Sequence, residues 1–422
     1  MVDSLKNRVL IMGGGSGGLL TAHILKKLNI PYAIFEQDPA FDSRPRDWDF
    51  GIYWAQSPLL QCLPEDITYR KVVATQVDDL EPTEDFFMPI YDLSTGEEMI
   101  KIPIPYAMRL RRREFIRLLK EEGILDVQVC FYLILPAQRF IMKYGKRLAG
   151  IDTDGQAVTA TFTDGTTEQG GLIIGAEGAH SVVRKFLLGP EKAALKPSPI
   201  VLTMVMTKLP PDAVEKIRGL HERMSTCFHP EGVFAWFGSH ERFSTTPSSE
   251  WTFTLMLSWS EPTSATTIAR DMVRKPNLET IRTAKTIAQK FCDPFRSIWE
   301  AVPDDAPVWH NRMSSWPTEE WDNRNGRFTL VGDAAHAMLP HRGQGLNNAI
   351  HDVASLLEAL RAHYDRDGEA PFKKALEAYE KEMWKRGREA VIMSDENAEA
   401  LHDWGKLKES PLWKLGIKPK KE

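Results

Sequence analysis

Residues 13–18 read Gly13-Gly14-Gly15-Ser16-Gly17-Gly18 and satisfy the spacing G-x-G-x-x-G at Gly13, Gly15 and Gly18. The chemistry this pattern allows is capture of a pyrophosphate. Such a group has to approach backbone N–H groups at a helix start, where a side chain on the second glycine would block it. Gly13 is therefore expected to make the turn and Gly15 to admit the phosphates, with Ser16 and Gly17 beside them. Gly18 is expected to let helix and strand pack closely. Glu36 follows about twenty residues later, where a carboxylate accepts hydrogen bonds from a ribose diol; its charge suits an adenosine ribose without a phosphate. By itself the motif does not separate one dinucleotide from another.

The elements that must position these residues are legible on either side. Arg8 to Met12 is an apolar run of the kind that forms a strand buried on both faces, Leu19 to Leu28 has helical spacing, and Tyr32 to Phe35 reads as a second strand ending at Glu36. Farther on, Val158 to Thr163 followed by Asp164-Gly165 predicts a hairpin. It leads into Leu172-Ile173-Ile174-Gly175-Ala176-Glu177-Gly178-Ala179-His180-Ser181-Val182-Val183-Arg184. A third stretch, Phe328-Thr329-Leu330-Val331-Gly332-Asp333-Ala334-Ala335-His336, precedes Pro340-His341-Arg342-Gly343-Gln344-Gly345-Leu346-Asn347. Beyond it Leu346, Ala349, Ile350, Val353, Leu356, Leu357 and Leu360 share one helix face, so the helix start lies beside the glycines.

At these residues the chain resembles the class A flavoprotein monooxygenases, the single-component family of para-hydroxybenzoate hydroxylase and many fungal secondary-metabolite hydroxylases. The three motifs stand in that family's order, and the resemblance covers almost the whole chain. It implies an α/β fold: a Rossmann-like FAD-binding domain of the GR2 type, interleaved with a β-sheet substrate domain and followed by C-terminal helices. It also implies non-covalent FAD, NADPH or NADH as electron donor and O2 as co-substrate. The glycine fingerprint would hold the ADP half of FAD, and Gly332-Asp333 its ribityl or ribose side. Glu177, Gly178 and Arg184 belong to a stretch credited with a double role toward FAD and the nicotinamide nucleotide, with Glu177 where relatives carry Asp. Arg44 or Arg46, and Arg112 ahead of Phe115 and Leu118, would neutralise the pyrophosphate, although Arg109, Arg111 and Arg113 crowd the last register. Pro340, Gly343, Gln344 and Gly345 would shape the flavin and oxygen site with Leu346 and Asn347, the helix start stabilising the anionic reduced flavin. Asp333 also reads as a plain helix cap, Gln344 and Asn347 as ordinary loop residues, and His336 and His341 as structural or solvent-facing.

The implied domain order is 1–75 for the first part of the FAD domain, 76–105 as an excursion, 106–194 as the second part, 195–306 as the substrate sheet, 307–369 as the third part and 370–422 as a helical segment. Within 195–306, Ile200 to Met206, Val233 to Phe237 and Thr252 to Trp259 alternate as strands. In this family an oxygenated flavin decays to hydrogen peroxide when water reaches it, so the substrate pocket has to be closed and apolar. Tyr53 and Trp54 on one side and Phe228 and Trp236 on the other are the candidate walls, with ordinary core packing as the alternative for each. No residue stands out as a general base, so hydroxylation and epoxidation stay open, as does NADPH against NADH. Arg46 to Ala55 and the form Pro340 to Gly345 resemble fungal members, which points to secondary metabolism.

Composition narrows the rest. A formal charge of -5 over 422 residues is unlike a nucleic-acid binder, which needs a basic excess. Cys62, Cys130, Cys227 and Cys292 lack the paired spacing of a metal or disulfide framework, so no metal is expected and the thiols read as buried. With no secretory signal and no apolar run of spanning length, the expected location is the cytoplasm and the expected partner a small-molecule substrate; oligomeric state is unreadable. Val129 to Lys143 is a greasy stretch without clear period, interrupted by Pro136: a lid, a partner-binding insertion or a translated intron. The rival functions are a different flavin oxidoreduction on the same scaffold and a non-catalytic flavin-binding interaction protein; a halogenase is disfavoured because no W-x-W-x-I-P segment is present.

Overall fold

The computed structural model describes residues 5–43, 47–121, 125–126, 140–261 and 278–417. The chain divides into two compact units: Met1–Thr75, Leu110–Lys196 and Ser315–Ile392 form the first, Gln76–Arg109, Pro197–Ser314 and Met393–Glu422 the second.

The first unit is built on a six-stranded sheet in the order Phe328–Leu330, Leu172–Gly175, Val9–Met12, Tyr32–Phe35, Phe140–Lys143, Leu125–Asp126, parallel at every pairing. Parallel strands need crossovers that cover both faces, and for that reason Val9–Met12, Tyr32–Phe35 and Leu172–Gly175 are buried at every position rather than alternating. Helix Ser16–Lys27 leaves the first strand and packs against helices Gln56–Cys62, Arg112–Glu121 and Gly345–His363. A three-stranded antiparallel sheet, Leu148–Thr153, Val158–Phe162 and Thr167–Gly170, contains the hairpin predicted at Asp164-Gly165; Gly165 takes φ +81° there and donates its N–H to Phe162 O at 2.9 Å.

The second unit is a seven-stranded sheet in the order Val308–Ser315, Lys196–Lys208, Thr252–Ser260, Val233–Ser239, Met224–His229, Phe87–Asp92, Glu98–Pro103. One face packs on helices Leu278–Ala288 and Phe295–Glu300, burying Val205, Ala235, Leu255 and Leu257 against Ala284, Ile298 and Trp299. Each large side chain buried there contributes about 1.5–3 kcal/mol of transfer free energy.

Three features depart from the sequence reading. Val308–Ser315 is an edge strand of the second unit's sheet, so the chain re-enters the first unit at Ser315 and not at 307. Residues 370–422 are no separate segment, because helix Lys373–Leu401 belongs to the first unit up to Ile392 and to the second from Met393. The far end of the stretch read as an insertion, Phe140–Lys143, is a strand in register with Tyr32–Phe35, so at least these residues are scaffold; residues 127–139 lie outside the described part.

Candidate functional site

In the first unit the three sequence motifs meet at the carboxyl ends of three neighbouring strands, Val9–Met12, Leu172–Gly175 and Phe328–Leu330. Ala176 donates its N–H to Met12 O at 2.7 Å and Val331 to Gly175 O at 2.9 Å, which brings the three strand ends level. Loops at this end of a parallel sheet form the crevice in which such folds bind ligands.

Each glycine of the first turn has its own reason to be glycine. Gly13 has φ +109°, and a Cβ there would lie 2.3 Å from Ala176 O. A Cβ on Gly18 would lie 2.0 Å from Gly13 O, so only glycine lets the helix start this close to the strand. Gly15 is different: a Cβ would meet nothing within 4 Å, and its backbone is extended at φ -76°, ψ -177°. Open space therefore begins at the glycine expected to face phosphates. The helix that starts at Ser16 has no side-chain cap and no acidic residue in its first turn, leaving its positive end available to an anion. Glu36 Oε2 accepts the Gly14 N–H at 2.7 Å and its Oε1 the Asp38 N–H at 2.9 Å, which fixes the carboxylate beside the turn.

The third motif supplies a second helix start of the same kind. Helix Gly345–His363 has Gln344 at its cap position without a capping side-chain bond, and no acid in its first turn. Gly343 is left-handed at φ +62° with the Tyr53 ring against it; a Cβ would lie 2.8 Å from Tyr53 Cε2. Between the two helix starts lies the turn Gly332–His336, in which Ala334, Ala335 and His336 are buried while Asp333 is exposed. Surrounding protein nonetheless raises the Asp333 carboxyl above its ordinary range through desolvation and the nearby Asp352 charge, opposed by His336 and Arg184. A Cβ on Gly17 would lie 3.8 Å from Val331 Cγ2, and one on Gly345 3.7 Å from Asp333 Oδ1, so both glycine loops flank this turn.

What holds the turn was not visible as a motif. Asp352, wholly buried in the long helix, accepts the Gly332 N–H at 2.7 Å and faces His336 Nε2 at 2.6 Å with Oδ2, while Oδ1 accepts Arg386 Nη2 at 2.7 Å. Burial alone would raise this carboxyl, but His336 and Arg386 hold it down to about 2. Arg386 also donates to Asn348 Oδ1 at 3.1 Å and Glu382 Oε1 at 2.6 Å. The available sequence signal was an acid between Ala349 and Leu356, on the apolar stripe of a helix. His336 is thereby committed to Asp352, in keeping with its structural reading.

Several residues expected at the cofactor also make internal bonds. Glu177 Oε1 accepts the N–H groups of Val182 and Val183, both at 3.1 Å, and its Oε2 the Ser181 hydroxyl at 2.8 Å, so it caps helix Val182–Lys192. Arg184 is buried, donates to Ala193 O at 3.2 Å, Ala334 O at 3.1 Å and Ala179 O, and lies 4.7 Å over the Trp316 ring; burial lowers its guanidinium to about 10. It ties the second motif to the third. The Asn347 side chain is bonded internally as well: Nδ2 donates to Gly51 O at 2.9 Å and Gly343 O at 3.1 Å, and Oδ1 accepts the Tyr53 N–H at 2.9 Å. Gln344 Oε1 accepts Trp54 Nε1 at 2.8 Å and its Nε2 donates to Arg342 O at 2.9 Å. Tyr53 and Trp54 thus brace the Gly343 loop.

Arg112 opens helix Arg112–Glu121, its N–H donating to Trp48 O at 2.9 Å. Positive charge at a helix start is unfavourable, and Asp47 offsets it by pairing with Arg111 Nε at 3.3 Å and accepting the Arg113 N–H at 2.9 Å. Arg44 and Arg46 lie outside the described residues. Gly178 has φ +81° with open space around it, and Pro340 starts the short turn Pro340–Arg342. In the second unit Phe228 is 1% exposed and tilts on Phe234 at 5.8 Å. Trp236 lies under the Arg109 guanidinium at 4.8 Å.

A hollow with two uncapped helix starts, an open glycine and one exposed carboxylate between them fits an anionic dinucleotide that carries polyol hydroxyls. Comparison with known proteins agrees. The model of the FAD binding domain family matches residues 137–394. The chain is 43% identical to an FAD-dependent monooxygenase, cctM of Talaromyces islandicus, over 97% of each chain. It is 34% identical to phnB of Penicillium herquei, also an FAD-dependent monooxygenase, over 99% of this chain and 97% of that one. Among solved structures, HpxO of Klebsiella pneumoniae complexed with FAD and uric acid superposes with a TM-score of 0.70 at 19% identity, covering 95% of this chain and 92% of that one. Among the described residues no helix is long and apolar enough to cross a membrane.

Proposed function

This chain belongs to the FAD-dependent monooxygenases and binds FAD, and from that premise we propose that it takes electrons from NADPH or NADH and uses O2 to hydroxylate a small aromatic or polyketide-like substrate in fungal secondary metabolism. The observation that carries this reading is the paired arrangement of uncapped helix starts at Ser16 and Gly345 around the exposed Asp333.

The turn Gly13 to Gly18, with Ser16 at the helix start, would receive the pyrophosphate at backbone N–H groups, Gly15 leaving the approach clear. Glu36 would take the adenosine ribose, its carboxylate already oriented by Gly14 and Asp38. Asp333 would accept the ribityl hydroxyls. The first N–H groups of helix Gly345–His363 would hold negative charge on the pyrimidine edge of the ring. Arg184, Glu177 and Asn347 act at one remove, keeping the three loops level. Bound FAD supplies the redox chemistry and oxygen activation, and the protein's part is to place it and to keep water out. His336, committed to Asp352, is not the group that moves a substrate proton.

The test is a screen of phenolic and polyketide-like compounds against purified, FAD-loaded protein, following NADPH and NADH consumption, with mass spectrometry of the products. Accelerated consumption together with a gain of one oxygen is the expected result. Yellow protein that oxidises neither nucleotide with any compound, or products without added oxygen, would overturn the reading.

A further inference from the structure

The second unit's sheet has a second face, turned away from helices Leu278–Ala288 and Phe295–Glu300. Phe253, Leu255 and Leu257 point to the helices, so by strand alternation Thr254, Met256 and Ser258 point the other way. The pairing brings Thr254 opposite Met206 and Gly238, and Met256 opposite Met204 and Trp236. Met204, Met206 and Met256 are half-buried there. A Cβ on Gly238 would lie 2.3 Å from Trp236 Cη2, so the indole folds across Gly238 toward Thr254.

Among the described residues three buried hydroxyls share this face, and two are satisfied. Thr226 Oγ1 donates to Met88 Sδ at 3.1 Å and Ser258 Oγ bonds to His402 Nε2 at 2.8 Å. Thr254 is 2% exposed, yet its Oγ1 has no hydrogen-bond partner. A buried unsatisfied hydroxyl is costly, and valine, of the same shape and at least as good in a strand, would avoid the cost.

We propose that Thr254, on a floor of Met204, Met206, Met256 and Trp236, is the specificity-determining anchor for a flat, largely apolar ligand bearing a hydroxyl or carbonyl. Methionine thioethers are polarisable and adaptable and suit the face of a fused ring, while the single hydroxyl fixes its orientation. That this ligand is the substrate rests on the function proposed above.

The experiment compares 2-naphthol with 2-methylnaphthalene, matched in shape and differing in the polar group, by equilibrium dialysis against FAD-loaded protein. Wild type is expected to prefer 2-naphthol by about tenfold, the equivalent of one hydrogen bond. T254V is expected to bring the two within about twofold while keeping its affinity for FAD and unfolding at a temperature no lower than wild type; T254S is expected to keep the preference. A tenfold preference that survives in T254V, or its absence in wild type, overturns the proposal. Naphthol discrimination lost in T254V from a protein that oxidises no nicotinamide nucleotide would sustain this anchor and sink the proposed reaction instead.

Discussion

Replacing Asp352 by asparagine tests how the turn that presents Asp333 is held. The carboxylate satisfies three donors from inside the protein: Gly332 N–H, His336 Nε2 and Arg386 Nη2. Asparagine keeps one acceptor and substitutes an amide donor for the other, which then faces either Arg386 or the Gly332 and His336 donors. Losing one partner of a buried ion pair costs about 3–5 kcal/mol. Arg386 retains Glu382, so the lower end applies, and ~3 kcal/mol is a change of roughly 150-fold in the folded-to-unfolded ratio. Urea unfolding of the FAD-free protein should show this loss, and FAD should bind at least tenfold more weakly because Gly332 is no longer fixed. In D352N/R386M the stranded cation is gone, so the double variant should be more stable than the sum of the two single losses by at least ~1 kcal/mol. A D352N protein within ~0.5 kcal/mol of wild type, with unchanged FAD affinity, would refute the reasoning.

Other outcomes follow from the same geometry. G15V should leave the FAD-free unfolding midpoint unchanged, because the added atoms enter open space, and should weaken FAD binding by about 100-fold or more, estimated from exclusion of the phosphates; normal FAD titration in G15V would count against the cradle. G18A should do the reverse, costing about 1–3 kcal/mol in the FAD-free protein because its Cβ meets a carbonyl oxygen, as read from calorimetry. Glu380, buried among Trp321 Nε1 at 3.0 Å and Asn323 Nδ2 at 2.8 Å, has its carboxyl raised from 4.5 to about 7 by desolvation. A folded value above the unfolded one means the proton is held more tightly when folded, so the stabilisation is present below about pH 4.5 and is lost as pH rises through about 7. The stability of wild type relative to E380Q should therefore fall by ~3 kcal/mol between pH 4.5 and 8; a gap independent of pH in urea titrations would contradict this.

Much of the first unit was legible because its constraints are local. A glycine at positive φ, a glycine against a carbonyl and a fully apolar strand each leave a mark within a few residues, and it was the family resemblance carried by the three motifs that implied they meet at one cofactor. The internal bonds of Glu177, Arg184 and Asn347 were not legible for a common reason. A polar residue inside a motif looks the same in sequence whether it meets a ligand or the backbone of its neighbours, and here loops from distant parts of the chain provided those neighbours. Asp352 and Arg386 escaped notice because the bonds that join them to the turn and to each other span 16 to 34 positions and run between different elements.

The strand order has a consequence for biosynthesis. Leu172–Gly175 cannot gain its outer neighbour Phe328–Leu330, nor Asp333 its place, until the intervening stretch has been translated. At ~5–20 residues per second the ribosome needs on the order of 10–30 s for that interval. During it the nascent glycine turn has the entrance to a vessel without the far wall, and the vitamin-derived cofactor should be captured only near the end of synthesis.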